Sequence, residues 1–176
     1  MRRLADADRI RRFLAELGRV APQPARLYLV GGATAVLEGW RDSTVDIDIE
    51  IEPESDALLR AIPALKTSLE VNVELAAPHH FIPELPGWRE RSRFVEQIGN
   101  LTVLHYDPYA QALAKIERRH AQDVEDVRRM LDEGLVDAEE LRRHFAAIEP
   151  ALYRYPALDA ASFRRALDEV LRGAAS

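Results

Sequence analysis

The chain of 176 residues is 47% hydrophobic and 31% charged, which fits one globular domain, or one domain with a helical appendage. It has no cysteine, so disulfides and thiolate metal sites are excluded, and a metal would need oxygen or imidazole ligands. The net charge of -6 argues against a general nucleic-acid surface and against reading of DNA grooves. No apolar run reaches the roughly 18 residues of a membrane span, and the start lacks a signal peptide's apolar segment. We therefore expect a cytoplasmic protein with no membrane partner.

The first predicted elements are a helix, a strand, a glycine turn and a short helix. Apolar residues at helical spacing predict an amphipathic helix from about residue 5 to residue 17. The β-prone run Leu27–Val30 predicts a strand that stops at Gly31 and Gly32. A short helix then closes near Gly39.

The stretch TVDIDIEIE, residues 44–52, alternates strictly between apolar and acidic residues. This period of two predicts a strand with one buried face. The apolar positions, which we expect to face the core, are Val45, Ile47, Ile49 and Ile51. The acidic positions on the other face are Asp46, Asp48, Glu50 and Glu52.

A helix that starts near Ser55 and a second alternating strand are predicted next. In the stretch SLEVNVELA, Asn72 and Glu74 face one way. The apolar positions on its opposite face are Val71, Val73 and Leu75. The turn residues Gly99 and Asn100 separate two further β-prone runs and predict a hairpin.

After Pro108 the pattern becomes helical to the end of the chain. The predicted helices lie near residues 109–119, 122–132, 138–148 and 160–171. The fold class is therefore α+β, a small mixed β-sheet with packed helices followed by a C-terminal helical subdomain. We place the α/β core in residues 1–106 and the helical subdomain, packed on that core, in residues 107–176.

Asp46 and Asp48 would lie on the same face of one strand, about 7 Å apart at their Cα atoms. Like charges held this close repel unless a cation lies between them. Mg²⁺ is commonly bound through one or two carboxylates and substrate phosphates. The alternative is an amphipathic strand with a solvated face, although Asp has a low strand propensity that weakens this interpretation.

Gly31 and Gly32, between a buried strand and a helix, would let the backbone approach a ligand and hold an anion at the helix start. Taken alone, a glycine pair is usually only a tight connection. It is not a Walker loop, because no Gly-Lys-Ser/Thr follows. In combination with Asp46 and Asp48, it predicts a site for a metal-bound nucleoside triphosphate.

The sequence resembles the nucleotidyltransferase superfamily, whose fold is shared with DNA polymerase β. Within it, the chain looks like the AbiEii-like and related small bacterial nucleotidyltransferases, several of which act as toxins. The stretches that carry the resemblance are VGGATA (30–35), RDSTVDIDI (41–49), EVNVEL (70–75) and ALAKIERRHAQDVEDV (112–127).

The resemblance implies that Gly31 and Gly32 position the triphosphate and that Asp46 and Asp48 bind two Mg²⁺ ions, with Mn²⁺ as an alternative ion. It also implies a third acid on a neighbouring strand that helps to activate the attacking hydroxyl. We assign this role to Glu74, which would share one of the metal ions with Asp46 and Asp48. If Asn72 is the aligned residue instead, the site has only two acidic ligands, which is the pattern expected of a non-catalytic member.

The resemblance also implies a lysine near the phosphates and an acid on the next helix. We assign Lys115 a catalytic and nucleotide-binding role, with Arg119, four residues on, and Asp123 as further nucleotide-binding residues. Arg41, just before the acidic strand, is a candidate to neutralise phosphate charge. The alternative is that Asp123 and Asp126 are salt-bridge partners of these cations.

The resemblance thus implies transfer of a nucleoside monophosphate from an NTP, ATP among the candidates, to an acceptor hydroxyl. The acceptor would be RNA such as a tRNA end, a protein or a small molecule, and a toxin role would imply a cognate antitoxin. The main alternative is a catalytically inactive member that serves as a nucleotide-binding or protein-interaction module. A purely structural α/β domain with an acidic face is a further alternative.

Overall fold

The computed structural model describes residues 2–174, which contain seven β-strands and eight α-helices. The strands are β1 (Ala5–Asp6), β2 (Ala25–Val30), β3 (Ser43–Thr44), β4 (Asp46–Glu52), β5 (Asn72–Leu75), β6 (Arg93–Ile98) and β7 (Leu101–His105). The helices are α1 (Ala7–Val20), α2 (Gly32–Leu37), α3 (Asp56–Ser68), α4 (Trp88–Arg91), α5 (Pro108–Arg118), α6 (Ala121–Asp132), α7 (Ala138–Ile148) and α8 (Ala160–Ala174). Short 3₁₀ turns occupy Pro78–His80 and Glu149–Arg154. The predicted α+β class is confirmed.

Five strands form a mixed sheet in the order β5-β4-β2-β7-β6, and β1 pairs with β3 in a separate two-stranded ladder. Strand β2 is antiparallel to β4 and parallel to β7, while β4 and β5 are parallel. Strands β6 and β7 form the predicted hairpin, with Gly99 at a φ of +57° in its turn. The neighbouring interior strands β4 and β2 therefore position the acidic stretch and the glycine turn side by side.

Two compact units are distinguished by their contacts. Within the described range, the first contains residues 2–77 and 92–106 and the second contains residues 78–91 and 107–174. The segment 78–91 precedes the hairpin in the chain and groups with the second unit. Within residues 2–174, no helix combines the length and the apolar character that crossing a membrane requires.

The core of the first unit lies on the apolar face of the sheet. Ile47 and Ile49 of β4 are fully buried there together with Phe13 and Leu17 of α1 and Leu58 of α3. The predicted alternation along β4 is confirmed, because each isoleucine is buried and each acid between them is half-buried. Burial of one face thus directs the acids to the opposite face.

Local signals place α3 where the sequence predicted it. The hydroxyl of Ser55 accepts a hydrogen bond from the backbone N–H of Leu58 at 3.4 Å, which caps the first turn. The equivalent cap of α1 is Asp6, whose carboxylate accepts from the N–H of Arg9 at 2.9 Å. The first helix therefore begins two residues later than predicted and ends at Val20.

Two apolar residues of the predicted alternating strands are exposed. Val45 is 66% exposed because β4 begins only at Asp46. Leu75 is 53% exposed at the end of β5, which is an edge strand with a neighbour on one side only. The prediction of burial was wrong at Val45, and both residues lie where a strand begins or ends.

The second unit is helical and has its own apolar interior. Phe145 of α7 and Phe163 of α8 are both buried, and their rings meet edge to face at 4.9 Å. The buried residues of α5 and α6 include Leu113, Ile116, Val127 and Met130. Helices α5 to α8 start and end within three residues of their predicted positions.

Candidate active site

The acids of β4 lie beside the polar residues of β5 in a defined register. In this parallel pair Asp46 is opposite Asn72 and Asp48 is opposite Glu74. Residues directly opposite each other project from the same face of a sheet. The structure therefore brings Asp46, Asp48, Asn72 and Glu74 together on the face opposite the buried isoleucines.

The amide of Asn72 links two of these carboxylates. Its Nδ2 donates a short hydrogen bond to Oδ1 of Asp46 and a second one, of 3.3 Å, to Oε1 of Glu74. Its Oδ1 accepts a short hydrogen bond from Nη1 of Arg2. Arg2 was missed by sequence reasoning because no local pattern relates the start of the chain to β5.

The glycine turn packs directly against the acidic strand. Gly31 has φ +61° and ψ -125°, and a Cβ atom there would lie 3.2 Å from Oδ2 of Asp48. A Cβ atom at Gly32 would lie only 2.0 Å from Oγ1 of Thr44. Close packing thus favours glycine at position 32, the positive φ favours glycine at position 31, and the backbone of the turn lies next to a site carboxylate.

Thr34 and His105 form buried hydrogen-bonding contacts next to the glycine turn. The Thr34 hydroxyl donates to the carbonyl oxygen of Leu29 at 3.1 Å and lies 3.0 Å from Nδ1 of His105. The same carbonyl accepts the backbone N–H of Tyr106 at 2.9 Å. These buried contacts tie the end of β2 to the start of α2. Thr34 and His105 were also missed, because their contact joins residues 71 apart.

Burial keeps His105 neutral. Desolvation is the largest effect and lowers the pKa of His105 to about 4, although the negative charge of Glu38 opposes the shift. The positive charge of Arg93, which forms an ion pair with Glu38, lowers this pKa further. Near neutral pH the imidazole is therefore an uncharged hydrogen-bonding group.

Arg41 lies in the connection between α2 and β3 and is half-buried. In the chain it stands between the glycine turn and the acidic strand, as the sequence shows. Its assignment to phosphate charge stays a prediction.

The other predicted site residues lie in the second unit and contact one another. Lys115 is 6% exposed, and its Nζ lies 2.8 Å from Oδ2 of Asp126 and 3.7 Å from Oδ1 of Asp123. Asp123 also accepts two hydrogen bonds from Arg118, of 2.8 and 2.7 Å. These contacts are the salt-bridge alternative that the sequence left open, and they favour a structural role. A phosphate contact by Lys115 or Asp123 stays a prediction.

Arg119 does not continue the face of Lys115. Helix α5 ends at Arg118, and Arg119 adopts a left-handed conformation with φ +60°. Its Nη2 donates to the hydroxyl of Ser162. Arg119 thus caps α5, with its backbone N–H donating to the carbonyl oxygen of Lys115 at 2.9 Å, and the chain turns there to begin α6. Its nucleotide contact stays a prediction.

The donor set of the acidic face suits a hard cation. Asp46 and Asp48 supply two same-face carboxylates, and Mg²⁺ commonly binds one or two carboxylates together with substrate phosphates. The residues therefore fit a site that substrate oxygens and water complete.

A mixed sheet with packed helices, in which a glycine turn lies against a strand carrying two same-face aspartates, defines a nucleotidyltransferase-like fold. The chain belongs to the family described as "Nucleotidyltransferase of unknown function (DUF6036)", whose model matches residues 8–169. No curated protein and no solved structure gives a significant match. Membership confirms the predicted nucleotidyltransferase superfamily and a transferase in the broad sense, and it implies a nucleotide substrate.

Proposed function

We propose that the protein transfers a nucleoside monophosphate from an NTP to an acceptor hydroxyl, with Asp46 and Asp48 as ligands of divalent ions. The observation that carries the proposal is the close approach of the Gly31 backbone to the Asp48 carboxylate. A Cβ atom at Gly31 would lie 3.2 Å from Oδ2 of Asp48. A triphosphate that lies along the glycine turn would then have its ions beside it. Family membership supports the nucleotide as substrate.

In the reaction the acceptor oxygen attacks the α-phosphorus while the bond to pyrophosphate breaks, and the hydroxyl proton is lost. Divalent ions, when bound, supply the positive charge that stabilises the attacking oxygen and the leaving pyrophosphate. Glu74, exposed beside Asp48, is assigned as a third ligand of the ion that would lower the pKa of the attacking hydroxyl, whose proton passes to water. The Gly31–Gly32 backbone and Arg41 are assigned to orient the triphosphate.

The test is incubation of the full chain with Mg²⁺, each labelled NTP and bulk RNA, protein or small acceptors. We expect label transfer that Asp46→Ala and Asp48→Ala each reduce at least about 100-fold, since charge stabilisation by a metal is worth several kcal/mol. Glu52→Gln is the matched control, because Glu52 lies on the same face at the far end of β4 and should retain transfer. Absence of both transfer and Mg²⁺-dependent NTP binding would overturn the proposal.

A second candidate function is that of a catalytically inactive nucleotide-binding or protein-interaction module. The observation that favours it is the neutral Asn72 directly opposite Asp46, at a position where a third acid would complete the site. Such a module would bind NTP without label transfer to any acceptor. The same incubation separates the two functions.

The AbiEii-like branch and a toxin role acting on tRNA form the finer part of the proposal, supported by the sequence motifs around the glycine turn and the acidic strand. Induced expression in a bacterial host should then arrest growth, with relief by Asp46→Ala and by a cognate antitoxin. Growth at the uninduced rate, with the protein present at a normal level, would contradict this part.

A further inference from the structure

The amide of Asn72 makes hydrogen bonds to side chains of opposite charge. On one side lie the carboxylates of Asp46 and Glu74, and on the other lies the guanidinium of Arg2. Asn72 itself is half-buried on the edge strand β5. This side chain thus occupies the space between two carboxylates of the candidate site.

Chemistry alone determines how this amide is turned. A guanidinium can only donate hydrogen bonds, and an ionised carboxylate can only accept them. The carbonyl oxygen of Asn72 must therefore face Arg2, and its NH₂ group must face Asp46 and Glu74. The reversed orientation would set donor against donor and acceptor against acceptor.

A carboxylate at position 72 would act differently. It would pair well with Arg2 but would place a further negative charge beside Asp46 and Glu74, which raises the free energy of the metal-free site. The neutral amide instead supplies one N–H to each carboxylate. Outer hydrogen-bond partners of this kind orient ligating groups and commonly alter metal affinity by 10- to 100-fold.

We propose that Asn72, oriented by Arg2, is a positioning residue that holds the Asp46 and Glu74 carboxylates in place to receive a divalent ion. The inference rests on the proposed metal-dependent function. It assigns the neutral residue opposite Asp46 a working role, in contrast to the interpretation that Asn72 marks an inactive site.

The test is a titration of the full chain with Mn²⁺, with and without an NTP. Binding is measured from the decrease of the electron paramagnetic resonance signal of free Mn²⁺. We expect Asn72→Ala to weaken Mn²⁺ binding about tenfold and Arg2→Ala to weaken it less. Arg2→Lys, which keeps a cationic donor, should restore most of the affinity. Asn100→Ala is the matched control, because the Asn100 amide donates to the carbonyl of Ala21 in another part of the same unit.

Three outcomes distinguish the proposals. Unchanged or tighter Mn²⁺ binding by Asn72→Ala and Arg2→Ala, with binding by the natural chain intact, overturns the positioning role alone. No Mn²⁺ binding by the natural chain overturns the metal-dependent function and the positioning role with it. Label transfer that is present only in Asn72→Asp overturns the positioning role and shows an inactive site that an acid repairs. Because Arg2 is exposed, its variants remain informative if Asn72→Ala fails to fold.

Discussion

The carboxylates of the two units differ in their burial and in the partners that they contact. In the second unit Asp126 and Asp123 are 3% and 2% exposed, and the cations Lys115 and Arg118 neutralise them. In the first unit Asp46 and Glu74 share a neutral amide from Asn72, on the polar face of the sheet. The buried acids of the second unit are thus neutralised by cations, whereas the partly exposed acids of the sheet are held by a neutral amide, and we propose that they bind a cation.

The pKa of Asp123 reflects this difference. Burial is the largest effect and would raise the pKa, but the hydrogen bond from Arg118 and the charges of Lys115, Arg118 and His120 together outweigh it and lower the pKa below its ordinary value. The ionised carboxylate is thus the form that the folded second unit prefers.

The largest effect is expected for Lys115→Met. Removing one partner of a buried ion pair leaves uncompensated charge, so the free energy of unfolding should fall by about 3–5 kcal/mol. Urea denaturation measures the change. Adding Asp126→Leu should recover most of the loss, because a hydrophobic pair replaces the ion pair. An unchanged free energy of unfolding in Lys115→Met would mean that the fold does not need the ammonium group, and it would favour the phosphate-binding role of Lys115.

As the pH falls, the stabilisation that His105 gives the first unit should be lost before the stabilisation that Asp123 gives the second unit. The pKa of His105 is lowered to about 4, so the unfolded chain binds its proton first and stability is lost as pH falls from about 6.5 towards 4. The full loss from this group is about 3 kcal/mol. The pKa of Asp123 is also lowered, from 3.8, so its stabilisation is lost only at still lower pH.

Urea midpoints of the natural chain and of His105→Asn, measured between pH 7 and pH 4.5, test this expectation. The variant should show the shallower dependence on pH, because it lacks the titrating ring. Equal slopes for the two proteins would show that His105 is not the group responsible.

Elements set by local patterns were predictable from the sequence. The isoleucines of β4 are buried because a period of two directs them to one face, and Ser55 begins α3 because its hydroxyl caps the first turn. Val45 and Leu75 were not predictable, since exposure at strand ends depends on where the neighbouring strand stops.

The site was predictable in part. The convergence of Asp46 and Asp48 on one face follows from alternation alone, but the pairing of Asp46 with Asn72 depends on the register of β4 and β5. Register joins residues 26 apart, and no local pattern determines it. The pairing of Lys115 with Asp126 likewise requires the turn between α5 and α6.

Gly31→Ala should sharpen the comparison at the site itself. The backbone there has φ +61° and a Cβ atom would lie 3.2 Å from the Asp48 carboxylate, so we expect a loss of about 1–3 kcal/mol by thermal or urea unfolding. Gly39→Ala is the matched control, because Gly39 has φ +82° with no atom within 4 Å of a Cβ. It should show backbone strain alone and a smaller loss. An equal loss of stability in both variants would mean that contact between the added Cβ atom and the Asp48 carboxylate contributes nothing.

The smallest effect on stability is expected for Asp46→Asn, an isosteric change that removes one negative charge from the polar face. Asn72 can still donate to the new side-chain carbonyl, and repulsion from Asp48 falls, so the free energy of unfolding should change by less than about 0.5 kcal/mol. The same change in the second unit, Asp126→Asn, should cost about 3 kcal/mol, because Lys115 is buried against Asp126. Mn²⁺ binding should show the reverse order, lost in Asp46→Asn and kept in Asp126→Asn. If both variants lose stability equally, the acids of the sheet serve the fold as those of the helices do.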